Sequence, residues 1–539
     1  MSTNNTAFVI TNGNIYIERD TFAQAVYAED GIIVAVGTNE EVLAAAPEGA
    51  QVFDANGRTV IPGFNDSHMH LYKFGELLQS IDLHEAMSKA DVKRLSEEFI
   101  ARANPVPGTI LRGFGWNQDY FTDDNTMLTR QDLDDITTEY PLVFSRACGH
   151  IVSINTPALS ITGVDENTPQ IEGMQFDVDG NGMPNGIFRE ADSRLLGGLL
   201  TNEATADERE KILLDAMTVA AQNGITSVQT NDMHEADYND IFALYEKVIS
   251  ENPILRAYHQ CRFMTPDAFN AFINDGYTFR SGNAFNRVGP LKLFSDGSLG
   301  GRTAYLREPY ADDPTTRGVQ TLTQEQSDEL VALATENGFQ VAVHAIGDAA
   351  IEQILDSYSL VCENGNPLRH GIVHVQITDE ALLQRFVEHG IIAYIQPIFL
   401  HYDTSMLEDR VGKALAQTSY AFNTLFKTGV HVSFGTDCPV EFLSPINNIY
   451  CAVTRQRLTG EPEGGYNPGE RMDIYDAVDS YTAGSAYASF DEDVKGRIRP
   501  GYYADFAVLS QDIFTINPND IINTVVDATV VNGKVVYNR

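Results

Sequence analysis

Gln340-Val-Ala-Val-His344-Ala-Ile-Gly-Asp-Ala-Ala350 is an apolar run that ends in a histidine and opens directly into a helical stretch. A second such run, Gly371-Ile-Val-His374, follows, and its histidine stands 374 − 344 = 30 residues beyond the first. That interval is about one βα unit, so the two runs read as neighbouring parallel strands. Working outward, the middle of the chain holds eight β-rich apolar runs: 59–61, 225–229, 255–258, 291–294, 340–343, 371–373, 391–395 and 431–434. Helix-like stretches such as 205–223, 324–337, 349–360 and 379–389 lie between them. Alternation of this kind predicts an α/β chain whose parallel strands close into a (β/α)8 TIM barrel.

The two ends read differently. Short alternating runs separated by Asn-Gly and Asp-Gly turns fill residues 7–57, and the idiom returns from Ala504 to Tyr537. Neither end can build a large sheet alone, so 1–58 and 489–539 are expected to pair into one small β-sandwich. The barrel then comprises 59–71 and 203–488. Residues 72–202 interrupt its rhythm at a length too great for a plain loop, and are expected to form an inserted α+β subdomain over the barrel mouth.

The 539-residue chain carries 75 acidic against 36 basic side chains, a formal net charge of −39. Such a balance makes nucleic acid and anionic membranes poor partners; a small-molecule substrate is the expected one, and the chain could form a homodimer. Neither a secretory signal nor an apolar run near the ~20 residues of a membrane helix is visible. The five cysteines are scattered without CxxC spacing, as expected of reduced thiols in a cytoplasm. Any bound metal must therefore be held by histidine and oxygen.

Five segments carry chemistry. In Val60-Ile-Pro-Gly-Phe-Asn-Asp-Ser-His68-Met-His70 the two histidines are two residues apart, so on a strand both project from one face and can grip one ion. His344 and His374 each close an apolar run, as the first pair does, and neutral imidazoles suit zinc, iron, nickel or manganese. Val432-Ser-Phe-Gly-Thr-Asp437 ends the last run in a carboxylate able to act as general base and then acid; a helix cap or turn aspartate is the bland alternative. Leu291-Lys292-Leu-Phe-Ser-Asp-Gly-Ser-Leu-Gly-Gly-Arg-Thr-Ala304 places a lysine inside an apolar strand. A buried ammonium is costly, so this lysine is deprotonated, paired or modified, for instance by CO2 to a metal-bridging carbamate, unless it snorkels to the strand end. The other histidines apart from His150, namely His84, His234, His259, His370, His389, His401 and His431, lie outside these motifs and take no metal role.

In order and content, PGFNDSHMH, KLFSDGSLGGRTA, VHAIGDAA, IVHVQ and FGTD resemble the amidohydrolase superfamily, and within it the "amidohydrolase 3" branch of N-substituted formamide deformylase-like and exoenzyme-regulator-like proteins. The resemblance covers nearly the whole chain. It implies His68 and His70 on a more buried metal, His344 and His374 on a second, carboxylated Lys292 bridging, and Asp437 as ligand and proton shuttle. Two zinc ions are implied, with manganese, iron or nickel as alternatives. Gly115-Trp116-Asn117 and Cys148-Gly-His150 also resemble the branch, making Trp116 and His150 candidates for substrate contact, as are Asp296 and Arg302; Trp116 fits a core aromatic equally well. The expected reaction is hydrolysis of a non-peptide carbon–nitrogen bond in a small molecule, with metal-bound hydroxide as nucleophile. A mononuclear deaminase with a structural Lys292 is the enzymatic rival, and a metal-free regulatory or scaffolding relative the rival of another class.

Overall fold

Residues 7–146, 151–170, 175–189, 193–199, 204–362 and 365–539 are described by the computed structural model. Two compact units emerge, one made of the chain up to Tyr72 and from Ala216 onward, the other of Lys73–Asp215.

In the first unit the apolar runs become eight strands: β1 (Phe64–Met69), β2 (Ile225–Thr230), β3 (Arg256–Arg262), β4 (Asn286–Phe294), β5 (Val341–Ala345), β6 (Gly371–His374), β7 (Ile392–Ile395) and β8 (Val432–Phe434). They pair in sequence order in one parallel sheet. Nearly every strand residue is buried, as parallel strands covered on both faces require. Helices return the chain between strands, and their ends obey local chemistry. Thr323 and Gln326 form a reciprocal capping box before Gln324–Glu336. Asp379 caps Glu380–His389, which Gly390 ends in the left-handed conformation at φ 63°.

The sheet closes into the TIM barrel at the ends of β1 and β8. Asp437 N donates to His68 O at 2.8 Å and His70 N to Cys438 O at 2.8 Å. Beneath them the fully buried Asp66 carboxylate accepts from Thr436 N at 3.0 and 3.1 Å, from Thr436 Oγ1 at 2.7 Å and from Tyr481 OH at 3.3 Å. Gly435 makes this seam tight: a Cβ there would lie 2.6 Å from His68 N and 2.9 Å from Asp66 Oδ1.

One expectation is corrected. The run at 59–61 is not the first barrel strand. Thr59–Pro62 lies in a sheet of the terminal segments, beside Asn14–Glu18 and antiparallel to Phe506–Leu509. Pro62 cannot donate to a further ladder, and Gly63 passes so near Thr226 that a Cβ would sit 2.2 Å from its side chain. Pro62-Gly63 is thus where the chain leaves one sheet and enters the barrel, which begins at Phe64.

The terminal segments build two sheets. One orders Ile32–Gly37, Ala25–Glu29, Ala7–Thr11 and Gln51–Asp54; the other orders Lys534–Asn538, Val526–Val531, Phe506–Leu509, Thr59–Pro62, Asn14–Glu18 and Thr21–Ala23. Residues from both ends of the chain, among them Phe8, Ile10, Ile15, Phe506, Val508 and Val530, share one buried core. A buried ion pair ties these sheets to the barrel. Arg256 of β3 donates to Asp505 at 2.7 and 3.2 Å, its guanidinium lying 4.1 Å from the Phe285 ring centre and 3.9 Å from that of Tyr503.

The second unit, Lys73–Asp215, runs past residue 202 into the helix Ala206–Gln222. Its mixed sheet orders Gln175–Val178, Pro184–Arg189, Ile151–Ile154, Leu142–Arg146, Leu111–Trp116 and Ile81–Asp82. The helix Lys89–Ala103 packs Val92 and Phe99 into the same core as Leu111, Leu142 and Phe144.

Candidate metal centre

The strand ends gather the histidines. His68 and His70 point to the same side of the barrel seam because two residues span one pleat. Their Nε2 atoms lie 3.3 and 3.4 Å from Asp437 Oδ1, and these three residues form a cluster close enough to share one cation. His374 joins with its ring centre 5.5 Å from that of His68, and His344 lies 4.5 Å from His374. Ladder register places the latter pair, since Ala345 stands opposite His374 and Phe294 opposite His344.

Each imidazole is held by its other nitrogen. His68 Nδ1 meets Gln260 Oε1 at 2.6 Å, His70 Nδ1 meets Asn231 O at 3.1 Å, and His374 Nδ1 meets Gln396 Oε1 at 2.8 Å. A carbonyl oxygen only accepts, so these Nδ1 atoms carry the proton and the Nε2 lone pairs are left for a cation. His344 is reversed: its Nε2 lies 3.0 Å from Gly297 O, leaving Nδ1 as the donor atom. The two imidazoles and the carboxylate of this cluster, with His374 and His344 beside them, are donor types that zinc and its neighbours accept.

The electrostatics agree at His68 and His374, and differ at His70. Burial drives His68 down to about 4 against the pull of Asp437, and burial together with the neighbouring His344 holds His374 well below its ordinary value. At His70 burial works the same way, but the hydrogen bond and charge of Asp437 outweigh it and raise the group. Burial would raise Asp437; the His68 and His70 contacts overcome it and keep the acid well below the carboxylate range. Lys292 of β4 is wholly buried, and that burial lowers its amine to about 7, with Asp437 opposing and Arg262 assisting. Its Nζ donates to Leu293 O at 3.3 Å and lies 3.8 Å from the Phe294 ring centre. His374, Val375 and Asp437 all adopt positive φ, at 83°, 50° and 57°. Non-glycine residues held there are strained, and such strain gathers at functional sites.

The other expected residues that are described are held by protein partners of their own. Asp296 braces the β5 turn, accepting from Ile346 N at 3.1 Å, Gly347 N at 2.8 Å and Tyr305 N at 2.9 Å, with His344 Nε2 at 3.4 Å. Arg302 gives its guanidinium to Asp312, which also takes Arg410. Trp116 is fully buried in the core of the second unit, its indole N–H donating to Phe144 O at 3.2 Å, which is the core-aromatic placement. His150 and Cys148 lie outside the described residues. The motif reading missed Asp66, Gln260 and Gln396. Asp66 carried a signal, an acid two residues before the HxH pair in the same run.

A TIM barrel that closes on histidines and an aspartate at its carboxyl end defines a class of barrel hydrolases, in which catalytic groups occupy that end. Comparison with known proteins specifies it. The Amidohydrolase family pattern matches residues 51–537. The Bacillus subtilis protein YtcJ is 33% identical over 98% of both chains. The N-substituted formamide deformylase of Arthrobacter pascens is 26% identical, again over 98% of each. A metal-dependent hydrolase of Pyrococcus horikoshii superposes with TM-score 0.75 at 26% identity, over 95% of this chain and 99% of its own. The chain belongs to the amidohydrolase family.

Proposed function

We propose that the protein is a metal-dependent hydrolase of carbon–nitrogen bonds, of the non-peptide amide type, in a small molecule. The observation that carries this is the convergence of His68 and His70, each with Nε2 turned toward Asp437 Oδ1, on that carboxylate. These three residues would hold one divalent cation, and His344 and His374 would hold a second. Lys292 would contribute as a carbamate, its free amine adding to CO2 with one N–C bond made, one C=O π bond broken and one proton released. Zinc is the preferred ion, manganese, iron and nickel the alternatives. Bound here, such ions supply Lewis acidity, lowering the pKa of water and polarising a carbonyl.

The chain's own groups do the rest. Asp437 takes a proton from the attacking water at its carboxylate and returns it to the departing nitrogen. Gln260, Asn231 and Gln396 hold the imidazoles in place, so little reorganisation accompanies the reaction. The formamide deformylase among the relatives supports the choice of C–N bond.

The Leu293 carbonyl and Phe294 ring beside Lys292 favour a second reading, a mononuclear centre with a structural lysine, as in a deaminase. Metal analysis of zinc-loaded protein with a panel of N-formyl, N-acyl and cyclic amides tests both. Two ions per chain and amide turnover are expected; one ion with deamination supports the second reading, and no ion with no turnover overturns both.

A further inference from the structure

Strands β1, β4, β5, β6 and β8, or the residues just after them, carry the groups assigned to the centre. Strands β3 and β7 carry none, yet each sends one glutamine to a histidine. Gln260 lies in β3, and Gln396 directly follows β7. Both are buried, at 0% and 2% exposure.

The orientation of an amide is ordinarily ambiguous, since its oxygen and nitrogen exchange places by a flip. Here the flip is blocked. Gln260 Nε2 donates to Ser67 O at 2.9 Å, so its Oε1 must face His68 Nδ1, 2.6 Å away. A flipped amide would set two donors against each other at His68 and two oxygens against each other at Ser67. Gln396 repeats the arrangement less tightly, with Nε2 3.4 Å from Tyr394 O and Oε1 2.8 Å from His374 Nδ1. Asn231 extends it: its Nδ2 donates to the Gln260 main-chain carbonyl at 2.7 Å, while its own carbonyl receives His70 Nδ1. Both histidines of the HxH pair therefore hang on one connected set of bonds across β1, β2 and β3.

We propose that Gln260 and Gln396 are positioning residues that lock His68 and His374 in the tautomer presenting Nε2 to the metal, and thereby set the metal affinity of the centre. The inference rests on the metal-binding reading above. An amide acceptor on the far nitrogen fixes tautomer and ring direction without placing a second negative charge beside Asp437. Loss of such an outer partner typically costs 10–100-fold in metal affinity.

The test is zinc affinity of the full-length protein, measured by competition with a chromophoric chelator. Gln260→Leu removes the acceptor and is expected to weaken zinc binding about 10–100-fold. Gln260→Glu, which burial keeps protonated, leaves one oxygen on His68 Nδ1 while its O–H donates to Ser67 O, and is expected to recover part of that loss. Gln396→Leu and Gln396→Glu repeat the comparison across the barrel, and decide the matter if a Gln260 variant fails to fold, as judged by the thermal midpoint of the metal-free protein. Wild-type affinity in the folded leucine variants, or equal loss in leucine and glutamate variants, overturns the positioning role. Failure of the wild-type protein to bind zinc, manganese, iron or nickel instead removes the metal reading itself.

Discussion

A single methyl group at Gly435 should damage the centre without removing any functional atom. The Cβ of Gly435→Ala would stand 2.6 Å from His68 N, whereas ordinary contact begins at 3.4 Å. A gap of 3.4 − 2.6, about 0.8 Å, must therefore open between β1 and the end of β8. The obstacles are main-chain atoms and the Asp66 carboxylate, so no flexible side chain can swing away. Overpacking of this kind costs about 1–3 kcal/mol. Stretching the Asp437 N to His68 O bond, 2.8 Å in the native seam, adds about 1–3 kcal/mol if the buried groups lose their partners. A destabilisation of about 2–6 kcal/mol follows, read as a lower denaturant midpoint. Since His68 and Asp437 sit on opposite sides of the gap, zinc affinity should fall with it, and a 1 Å misplacement alone costs about 10²-fold in turnover. A Gly435→Ala protein with stability within about 0.5 kcal/mol of the parent and unchanged metal affinity would refute the tight-seam argument.

Three further outcomes are expected. Asp437→Asn should lose most turnover, because an amide accepts no proton from water, and metal content measured alongside separates that loss from loss of a ligand. His370, driven to about 4 by burial, has a folded pKa below the unfolded value of about 6.5; the unfolded chain then binds the extra proton, so stability falls as pH drops from 6.5 towards 4, by up to about 3 kcal/mol, and His370→Gln should flatten that part of a pH–stability curve. Breaking the Arg256–Asp505 pair by Asp505→Leu should cost about 3–5 kcal/mol, while the double change with Arg256→Met costs much less; additive effects in that cycle would show that the pair is not coupled.

Much of this architecture is legible in the residues because its determinants are local. Eight apolar runs spaced by helical stretches announce a barrel, and the two-residue step from His68 to His70 announces a shared face. What escapes is what depends on closure. Residues 59–61 read like any strand, and only the Pro62-Gly63 crossing, squeezed against Thr226, reveals which sheet they join. Gln260 looks like any polar residue in a strand until Ser67 and His68 are seen beside it. Trp116 shows the opposite limit: a lone tryptophan in a family-like motif invites a functional role, yet its surroundings are Leu111, Leu142 and Phe144.

The seam has a consequence for biosynthesis. Asp66 and Thr436, which it joins, are 370 residues apart in the chain. At a translation rate of about 5–20 residues per second, roughly 20–70 s separate the emergence of the first histidine pair from that of Asp437. Throughout that interval His68 and His70 are made but lack the carboxylate they converge on, so the cluster able to hold a cation is complete only late in the birth of the molecule. A nascent chain released before residue 437 carries the HxH pair without the carboxylate that completes the cluster.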